Sequence, residues 1–152
     1  MTLEDLTTKL NFSDVKWKRL TGSPNFSYYV DYSIAILSTD CMKKTVQFLG
    51  EWAPHAYCHF HRHLGDTTSI VLRGEHYVKE YSSATKFEAK TRTEGHVSKG
   101  LCGDAHMEKA GANGSLVYFS MECEKGNVFE ILDESLNTLN VLSFQEFING
   151  KY

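Results

Sequence analysis

Short runs rich in β-branched and aromatic residues recur along the chain, and glycines punctuate them. Residues of these types are typical of β-strands, and short strands at a regular spacing favour a sandwich or a barrel over alternating strands and helices. The predicted strands are residues 15–20, 27–37, 43–49, 57–63, 68–72, 76–81, 85–89, 115–121 and 128–132. The pattern therefore predicts an all-β fold.

Helix-start patterns lie near both ends of the sequence. Thr2-Leu3-Glu4-Asp5 has the hydroxyl-then-acid pattern that predicts a short helix through about Leu10. Ser143-Phe144-Gln145-Glu146 is a capping box, which predicts a second short helical segment that ends at Gly150. No proline-rich linker or internal repeat divides the 152 residues, so residues 1–152 are predicted to form a single domain.

The charge balance argues against a nucleic-acid partner, because 16 basic and 19 acidic residues give a net charge of −3 and the basic residues are dispersed. No stretch approaches the roughly 18 apolar residues of a membrane span, and the first residues lack the pattern of a signal peptide. We therefore predict a cytoplasmic protein with neither a nucleic-acid nor a membrane partner. Cys41, Cys58, Cys102 and Cys123 form no CxxC pair and are predicted to be free thiols.

Histidine is concentrated in one part of the sequence. All seven histidines lie between residues 55 and 106, and four of them lie within residues 55–63. Imidazole is the commonest protein ligand for transition metals, and alternate side chains of a strand share one face. His59, His61 and His63 have that alternate spacing, so this segment is the first place to look for a metal site.

Two short motifs resemble those of the cupin superfamily. The first cupin motif is HxH, three or four residues, Glu, six residues and Gly, and this chain has His61-Arg62-His63, three residues, Thr67, six residues and Gly74. The second runs Gly, five residues, Pro-x-Gly-x-x-His-x-x-x-Asn, and this chain matches it at Gly95, Gly103 and His106, with Leu101 and Ala110 at the proline and asparagine positions. The resemblance implies a cupin-type antiparallel β-barrel, a jelly roll, with a metal ion or a ligand inside it.

Three histidines are predicted to hold one divalent transition metal ion. His61 and His63 lie two residues apart, so on a strand they project from the same face about 6.5 Å apart along the backbone. His106, which follows Gly103 in the second motif, is the predicted third ligand from another strand or loop. Three histidines leave coordination positions for water, dioxygen or a bidentate substrate. Fe(II) is the favoured metal, and zinc, nickel and manganese are the alternatives.

Thr67 takes the place of the usual glutamate of the first motif, which has an electrostatic consequence. A set of three neutral histidines leaves a divalent ion with its full charge, and this favours anionic oxygen ligands such as an enolate. Asp66 lies one residue out of register, and a β-bulge could recruit it as a ligand instead.

Two further residues are candidates for catalysis. His59 shares the inward spacing and is interpreted as a residue that lines the pocket or shuttles protons, rather than as a ligand. Glu75 is a candidate general base, with an exposed strand carboxylate as the alternative. His55, His76 and His96 are interpreted as ordinary surface or half-buried residues.

The resemblance implies an activity as well as a fold. Three-histidine cupin sites are similar to those of small iron dioxygenases that cleave β-diketones or hydroxyacetophenones, and the chain is also similar to the zinc-binding cupin domain of anti-sigma factors. The leading hypothesis is an Fe(II) dioxygenase that acts on a small enolisable or hydroxylated carbonyl compound. The alternatives are a non-catalytic module that senses a metal or a ligand, and a non-redox metal-dependent lyase or isomerase.

Two kinds of partner are expected. One is a small-molecule substrate bound at the metal. The other is a second copy of the chain, because cupins often dimerise and the predicted strand at residues 27–37 could serve such an interface.

Overall fold

The computed structural model describes residues 14–22 and 26–152. Within them the chain forms ten antiparallel strands and one short helix. The predicted helix at residues 2–10 lies outside them. The strands are β1 Lys18–Thr21, β2 Asp31–Asp40, β3 Thr45–Trp52, β4 His61–His63, β5 Asp66–Ser83, β6 Lys86–Arg92, β7 Val97–Gly100, β8 Ala105–Glu122, β9 Asn127–Leu132 and β10 Thr138–Ser143. The helix, α1, is Phe144–Ile148.

The strands form one curled antiparallel sheet, which confirms the all-β prediction. Its order is β1-β2-β3-β8-β4-β9-β10, and β5 pairs with β6, β7 and β8. The two longest strands, β5 and β8, have 18 residues each and pair along most of their length. Because β8 pairs with β3 and β5 near one end and with β4 and β5 near the other, the sheet curls around the face of β8 that carries the candidate site.

Two predicted strand boundaries differ from the structure because glycines interrupt the pattern without interrupting the strand. Residues 68–72 and 76–81 belong to a single strand, β5. Gly74 has a positive φ of 79° and lies between two register shifts of the β5–β8 pair, so it marks a β-bulge and not a turn. Strand β8 likewise begins at Ala105, ten residues before the predicted start at Ser115, and continues through Gly111 and Gly114.

Other parts of the strand prediction also differ from the structure. Only His61–His63 of the predicted strand at residues 57–63 forms a regular strand, and β7 and β10 were not predicted. Strand β2 begins at Asp31 and lies between β1 and β3 over residues 32–34, so this part of the segment proposed as a dimer interface is not a sheet edge.

The interior between the strands is filled largely by aromatic rings. Phe48 and Phe119 stack with their centroids 4.9 Å apart, and Phe129 and Phe147 pack edge-on against Phe48 at 6.1 and 5.2 Å. Phe147 belongs to α1, and the predicted capping box of that helix is present. The helix therefore closes one end of the core with a fully buried ring.

The four cysteines are free thiols, as predicted. Cys58 and Cys123 are buried, and Cys41 and Cys102 are exposed. Within residues 14–22 and 26–152, no helix is long and apolar enough to cross a membrane.

Replacing Gly65 by alanine should destabilise the protein. This residue lies in the turn between β4 and β5, where an added Cβ would lie 2.2 Å from the backbone oxygen of Glu122. We expect a loss of about 1–3 kcal/mol in the free energy of unfolding, measured by urea denaturation. Gly100→Ala is the matched control, because its Cβ would meet nothing within 4 Å. The control should change the stability by less than about 0.5 kcal/mol, and equal losses in the two variants would contradict this packing.

Candidate metal centre

Two neighbouring strands bring four potential metal ligands together. Strand β4 carries His61 and His63, and β8 carries His106 and Glu108. In each pair the residues are two apart, so their side chains share a face of the strand. His61 lies directly opposite His106 in the antiparallel pairing of β4 with β8. The structure thus places the three histidines predicted from the sequence side by side, and it adds Glu108.

The metal-binding atoms of these four residues converge. His61 Nε2 lies 3.0 Å from His63 Nε2 and 3.5 Å from Glu108 Oε2, and His106 Nε2 lies 3.7 Å from the same oxygen. Each residue offers one ligand atom, and all four atoms lie within 4.8 Å of one another. Ligand atoms bind a transition metal at about 2.0–2.2 Å, so the ligands of one ion lie about 3–4 Å apart. The cluster of three histidines and Glu108 could therefore hold one metal ion.

Hydrogen bonds on the far side of two rings set their tautomers. His61 Nδ1 lies 2.7 Å from the carbonyl oxygen of His59, which can only accept, so Nδ1 carries the proton. The Thr67 hydroxyl donates to the Gly65 carbonyl and therefore accepts from His63 Nδ1, which lies 2.8 Å away. With the proton on Nδ1, the neutral form of each ring has its lone pair on Nε2, the atom that faces the cluster. Such outer hydrogen bonds are how proteins orient histidine ligands.

Three ring nitrogens of the cluster lack a satisfactory partner within the described part of the chain. His106 Nε2 is buried without a hydrogen bond. The Nε2 lone pairs of His61 and His63 face each other. Burying such groups unpaired costs free energy, and a metal ion bound between them would satisfy all three nitrogens at once. The donor set therefore fits a transition metal ion.

A buried histidine holds Glu108 from behind. His76 Nε2 donates to Glu108 Oε1 at 3.1 Å, and His76 Nδ1 lies 3.0 Å from the Ser115 hydroxyl. The ring of Trp52 packs edge-on against His76 with the centroids 4.6 Å apart. With Oε1 bound to His76, Oε2 is the oxygen that faces the cluster. The interpretation of His76 as a surface or half-buried residue is wrong, because it is 1% exposed on the inner face of β5.

Burial sets the protonation state of the site. It lowers the pKa of His63 well below the ordinary value, and the charges of His106 and His61 act in the same direction. Burial, followed by the charge of His61, lowers the pKa of His106 to about 3. Burial raises the pKa of Glu108, but the hydrogen bond from His76 and the charges of nearby histidines outweigh it, so this pKa lies well below the ordinary value. At neutral pH, His63 and His106 are neutral and Glu108 is ionised, as metal binding requires.

Glu108 corrects the electrostatic prediction made from the sequence. A divalent ion held by three neutral histidines and one carboxylate has a net charge of about +1, not the full +2 expected for three histidines alone. Glu108 was missed although it follows His106 at the same two-residue spacing that joins His61 and His63. That repeated spacing is the sequence signal that could have identified it.

Neither residue considered for the place of the motif glutamate belongs to the cluster. Thr67 contacts His63 Nδ1, on the side of the ring away from the other ligands. Asp66 is exposed and accepts a hydrogen bond from the backbone of Cys102 at 2.9 Å, so no bulge directs it inward. The carboxylate of this site comes from β8 because β8 lies beside β4 in the sheet.

His59 lies beside the cluster, in a wall of a large cavity. Its Nδ1 is 2.9 Å from the Tyr32 hydroxyl, and its ring packs edge-on against Phe26 and Tyr32. His59 precedes the first regular residue of β4 and is half-buried. This position agrees with the interpretation of His59 as a residue that lines the pocket.

Glu75 and two other histidines are not brought to the cluster. Glu75 is exposed on β5, where it accepts a hydrogen bond from the Tyr77 hydroxyl. It adjoins His76, whose side chain points inward, so the Glu75 side chain projects to the outer face. A role for Glu75 as general base stays a prediction that this geometry does not support. His55 and His96 are exposed.

An apolar cavity of about 310 Å³ opens onto the cluster, and His61, His63 and Glu108 form part of its wall. Much of the remaining wall is aromatic or aliphatic, and includes Tyr32, Phe48, Trp52, Phe119, Phe129 and Leu142. A second cavity of about 30 Å³ borders His63, His106 and Glu108 and is lined by polar side chains that include Arg92 and Asp104. The cluster therefore lies between a large apolar space and a small polar one.

No protein-family model matches the sequence, and no curated protein matches it. Solved cupin structures do match the fold. An RmlC-like cupin protein from Ralstonia eutropha JMP134 has a TM-score of 0.67 at 14% identity, over 93% of this chain and 82% of that chain. An acetylacetone dioxygenase from Acinetobacter johnsonii has a TM-score of 0.64 at 11% identity, over 86% and 83%. A cupin-like protein from Thermotoga maritima MSB8 has a TM-score of 0.55 at 24% identity, over 70% and 79%.

These similarities show that the chain has the cupin fold, which confirms the fold class that the two sequence motifs implied. The chain therefore combines the cupin fold with a cluster of three histidines and Glu108 that could hold a metal ion.

Glu108→Gln should weaken metal binding by about 10- to 100-fold or more, because it removes the negative charge while it keeps the side chain's shape. Competition with a chromophoric zinc chelator measures the affinity. Glu75→Gln is the matched control, since that carboxylate is exposed and outside the cluster, and it should leave the affinity unchanged. Wild-type affinity in Glu108→Gln would show that the histidines bind metal without the carboxylate.

The metal-free protein should lose stability as the pH falls below about 6.5, the value at which histidines of the unfolded chain begin to bind protons. His63 and His106 stay neutral in the folded state because their pKa values are lowered, so acid favours the unfolded state. Urea unfolding between pH 6 and pH 5 should show a loss of about 2–3 kcal/mol per pH unit from these two rings.

The control for this dependence is His106→Gln, which cannot titrate. It should remove about half of the loss per pH unit, because one of the two buried rings is gone. An unchanged dependence in this variant would mean that His106 is not held neutral in the folded protein.

Proposed function

We propose that the protein is a mononuclear Fe(II)-dependent dioxygenase that acts on a small enolisable or hydroxylated carbonyl compound. The observation that carries the proposal is the cluster of His61, His63, His106 and Glu108 in the wall of an apolar cavity. Four protein ligands leave two positions of an octahedral ion for a bidentate substrate or for dioxygen. The acetylacetone dioxygenase among the similar structures supports this choice of reaction.

Bound Fe(II) would supply Lewis acidity toward an enolate and redox chemistry with dioxygen. The residues of this chain supply the rest. His61, His63 and His106 would hold the ion through Nε2, and Glu108 would hold it through Oε2. The hydrogen bonds from His76 to Glu108 and from His63 to Thr67 keep these groups aimed at one point before the ion binds. The apolar walls exclude water, which strengthens the electrostatic interactions in the site.

His59 is the cavity residue suited to accept the proton that an enolisable substrate loses. Burial lowers the pKa of His59, and the charge of His61 adds to the effect, so the ring is neutral at neutral pH. His59 Nδ1 lies 2.9 Å from the Tyr32 hydroxyl, and in the tautomer whose Nδ1–H donates to that oxygen, Nε2 would be left to accept a proton. A neutral imidazole in this position can act as a general base.

The test is oxygen consumption by protein that has been loaded anaerobically with Fe(II). A panel of β-diketones and hydroxyketones should contain a compound whose addition starts oxygen uptake, with one molecule of dioxygen consumed per molecule of substrate. His106→Ala should lose both the iron and the uptake, whereas His96→Ala, at an exposed position outside the cluster, should keep both. No uptake across the panel by iron-loaded protein would overturn the proposal.

Two other outcomes would identify the alternatives. Tightly held zinc in the purified protein, with no turnover of any compound, would favour a sensing module. Conversion of substrate without oxygen by zinc-loaded protein would favour a lyase or an isomerase.

A further inference from the structure

The walls of the larger cavity are almost free of charge. Among the described residues that line it, Glu108 is the single carboxylate, and no lysine or arginine takes part. Asn140 is the neutral polar side chain that β10 contributes to the wall. A second charged group on a bound molecule, held among the rings and away from the opening at Asn140, would therefore be buried without a partner of opposite charge, which is strongly unfavourable.

The same walls are stiffened by rings that pack on one another. Phe48 stacks on Phe119 at 4.9 Å, and Tyr32 stacks on Trp52 at 5.9 Å. Gly50 makes room for this arrangement, because a Cβ at that position would lie 2.6 Å from the Trp52 ring and 3.3 Å from the Phe119 ring. The cavity is thus a preformed apolar space bounded by ring faces and edges, and aromatic ligands pack well against such surfaces.

The substrate has to occupy this cavity and not the smaller one. The space on the His106 side measures about 30 Å³, the volume of roughly one water molecule, whereas the apolar cavity measures about 310 Å³. Both border His63 and Glu108, so a ligand in the larger cavity can reach the cluster directly. A divalent ion beside Glu108 keeps a net charge of about +1, so it favours a substrate whose metal-binding group carries one negative charge.

From these observations we propose that the substrate combines one monoanionic, oxygen-donating head with an aromatic body and carries no second charged group. The inference rests on the proposed function for the metal at the head, and on the cavity walls for the body. It narrows the small carbonyl compounds considered above to aryl compounds, and it excludes oxo acids that bear a free carboxylate beyond the metal-binding group.

Hydroxamates test the preference for an aromatic substrate body separately from the dioxygenase reaction. Benzohydroxamate, acetohydroxamate and succinohydroxamate share one bidentate metal-binding head and carry a phenyl ring, a methyl group and a carboxylate chain, respectively. Calorimetric titration of zinc-loaded protein should show benzohydroxamate binding at least tenfold tighter than acetohydroxamate, and succinohydroxamate at least tenfold weaker. Equal affinities for the first two, a tighter succinohydroxamate, or no binding of any of them would overturn the proposal.

A pair of variants on β10 tests whether the lack of positive charge in the cavity wall disfavours ligands with a second negative charge. Asn140 lines the cavity and is exposed, so Asn140→Lys should fold and should tighten succinohydroxamate binding at least fivefold. Val141 is also exposed but does not line the cavity, so Val141→Lys adds the same charge elsewhere and should change nothing. The same tightening in both variants would show that overall charge, not the cavity wall, sets the discrimination, and would overturn the inference.

Failure of this inference and failure of the proposed function give different results. The hydroxamates bring their own metal-binding head, and zinc does not support oxygen chemistry, so the preference for the phenyl body is measured without turnover. A phenyl preference without oxygen uptake by the iron-loaded protein would remove the dioxygenase and leave the cavity inference in place. Oxygen uptake without a phenyl preference would remove the cavity inference and leave the dioxygenase in place.

Discussion

A carboxylate buried beside three imidazoles is the constraint on which the rest of this structure depends. Glu108 is 3% exposed, and an ionised carboxylate in such a place is tolerated when hydrogen bonds and positive charge compensate for the lost water. His76 provides the hydrogen bond to one oxygen. The other oxygen faces Nε2 of His61 at 3.5 Å and Nε2 of His106 at 3.7 Å. A cation among these groups is the partner that completes the arrangement.

The order of the strands in the sheet makes this arrangement possible. Strand β8 lies between β4 and β5, so one strand presents Glu108 to the histidines of β4 and to His76 of β5. The bulge at Gly74 lets β5 continue across the barrel in a register that turns His76 inward. The aromatic core beyond the cluster then leaves an apolar cavity on one side of it, with a small polar space on the other. The same topology therefore sets the ligands, their supporting hydrogen bonds and the access to them.

Several of these features could be predicted from the sequence, because they depend on local spacing. The pair His61 and His63 follows from two-residue alternation along a strand, and the capping box at Ser143 predicts the final helix. His106 was identified by its place in the second cupin motif. What could not be predicted depends on which strands become neighbours. Glu108 reaches the histidines because β8 lies beside β4 in the sheet. The first cupin motif instead pointed to Thr67, which accepts a hydrogen bond from His63.

Anomalous diffraction from crystals of the metal-loaded protein, recorded on both sides of the absorption edge of the metal, tests the central claim most directly. We expect one anomalous peak per chain, within bonding distance of Nε2 of His61, His63 and His106 and of Oε2 of Glu108. A peak that lies elsewhere, or an ion at the histidines with Glu108 turned away from it, would contradict the account.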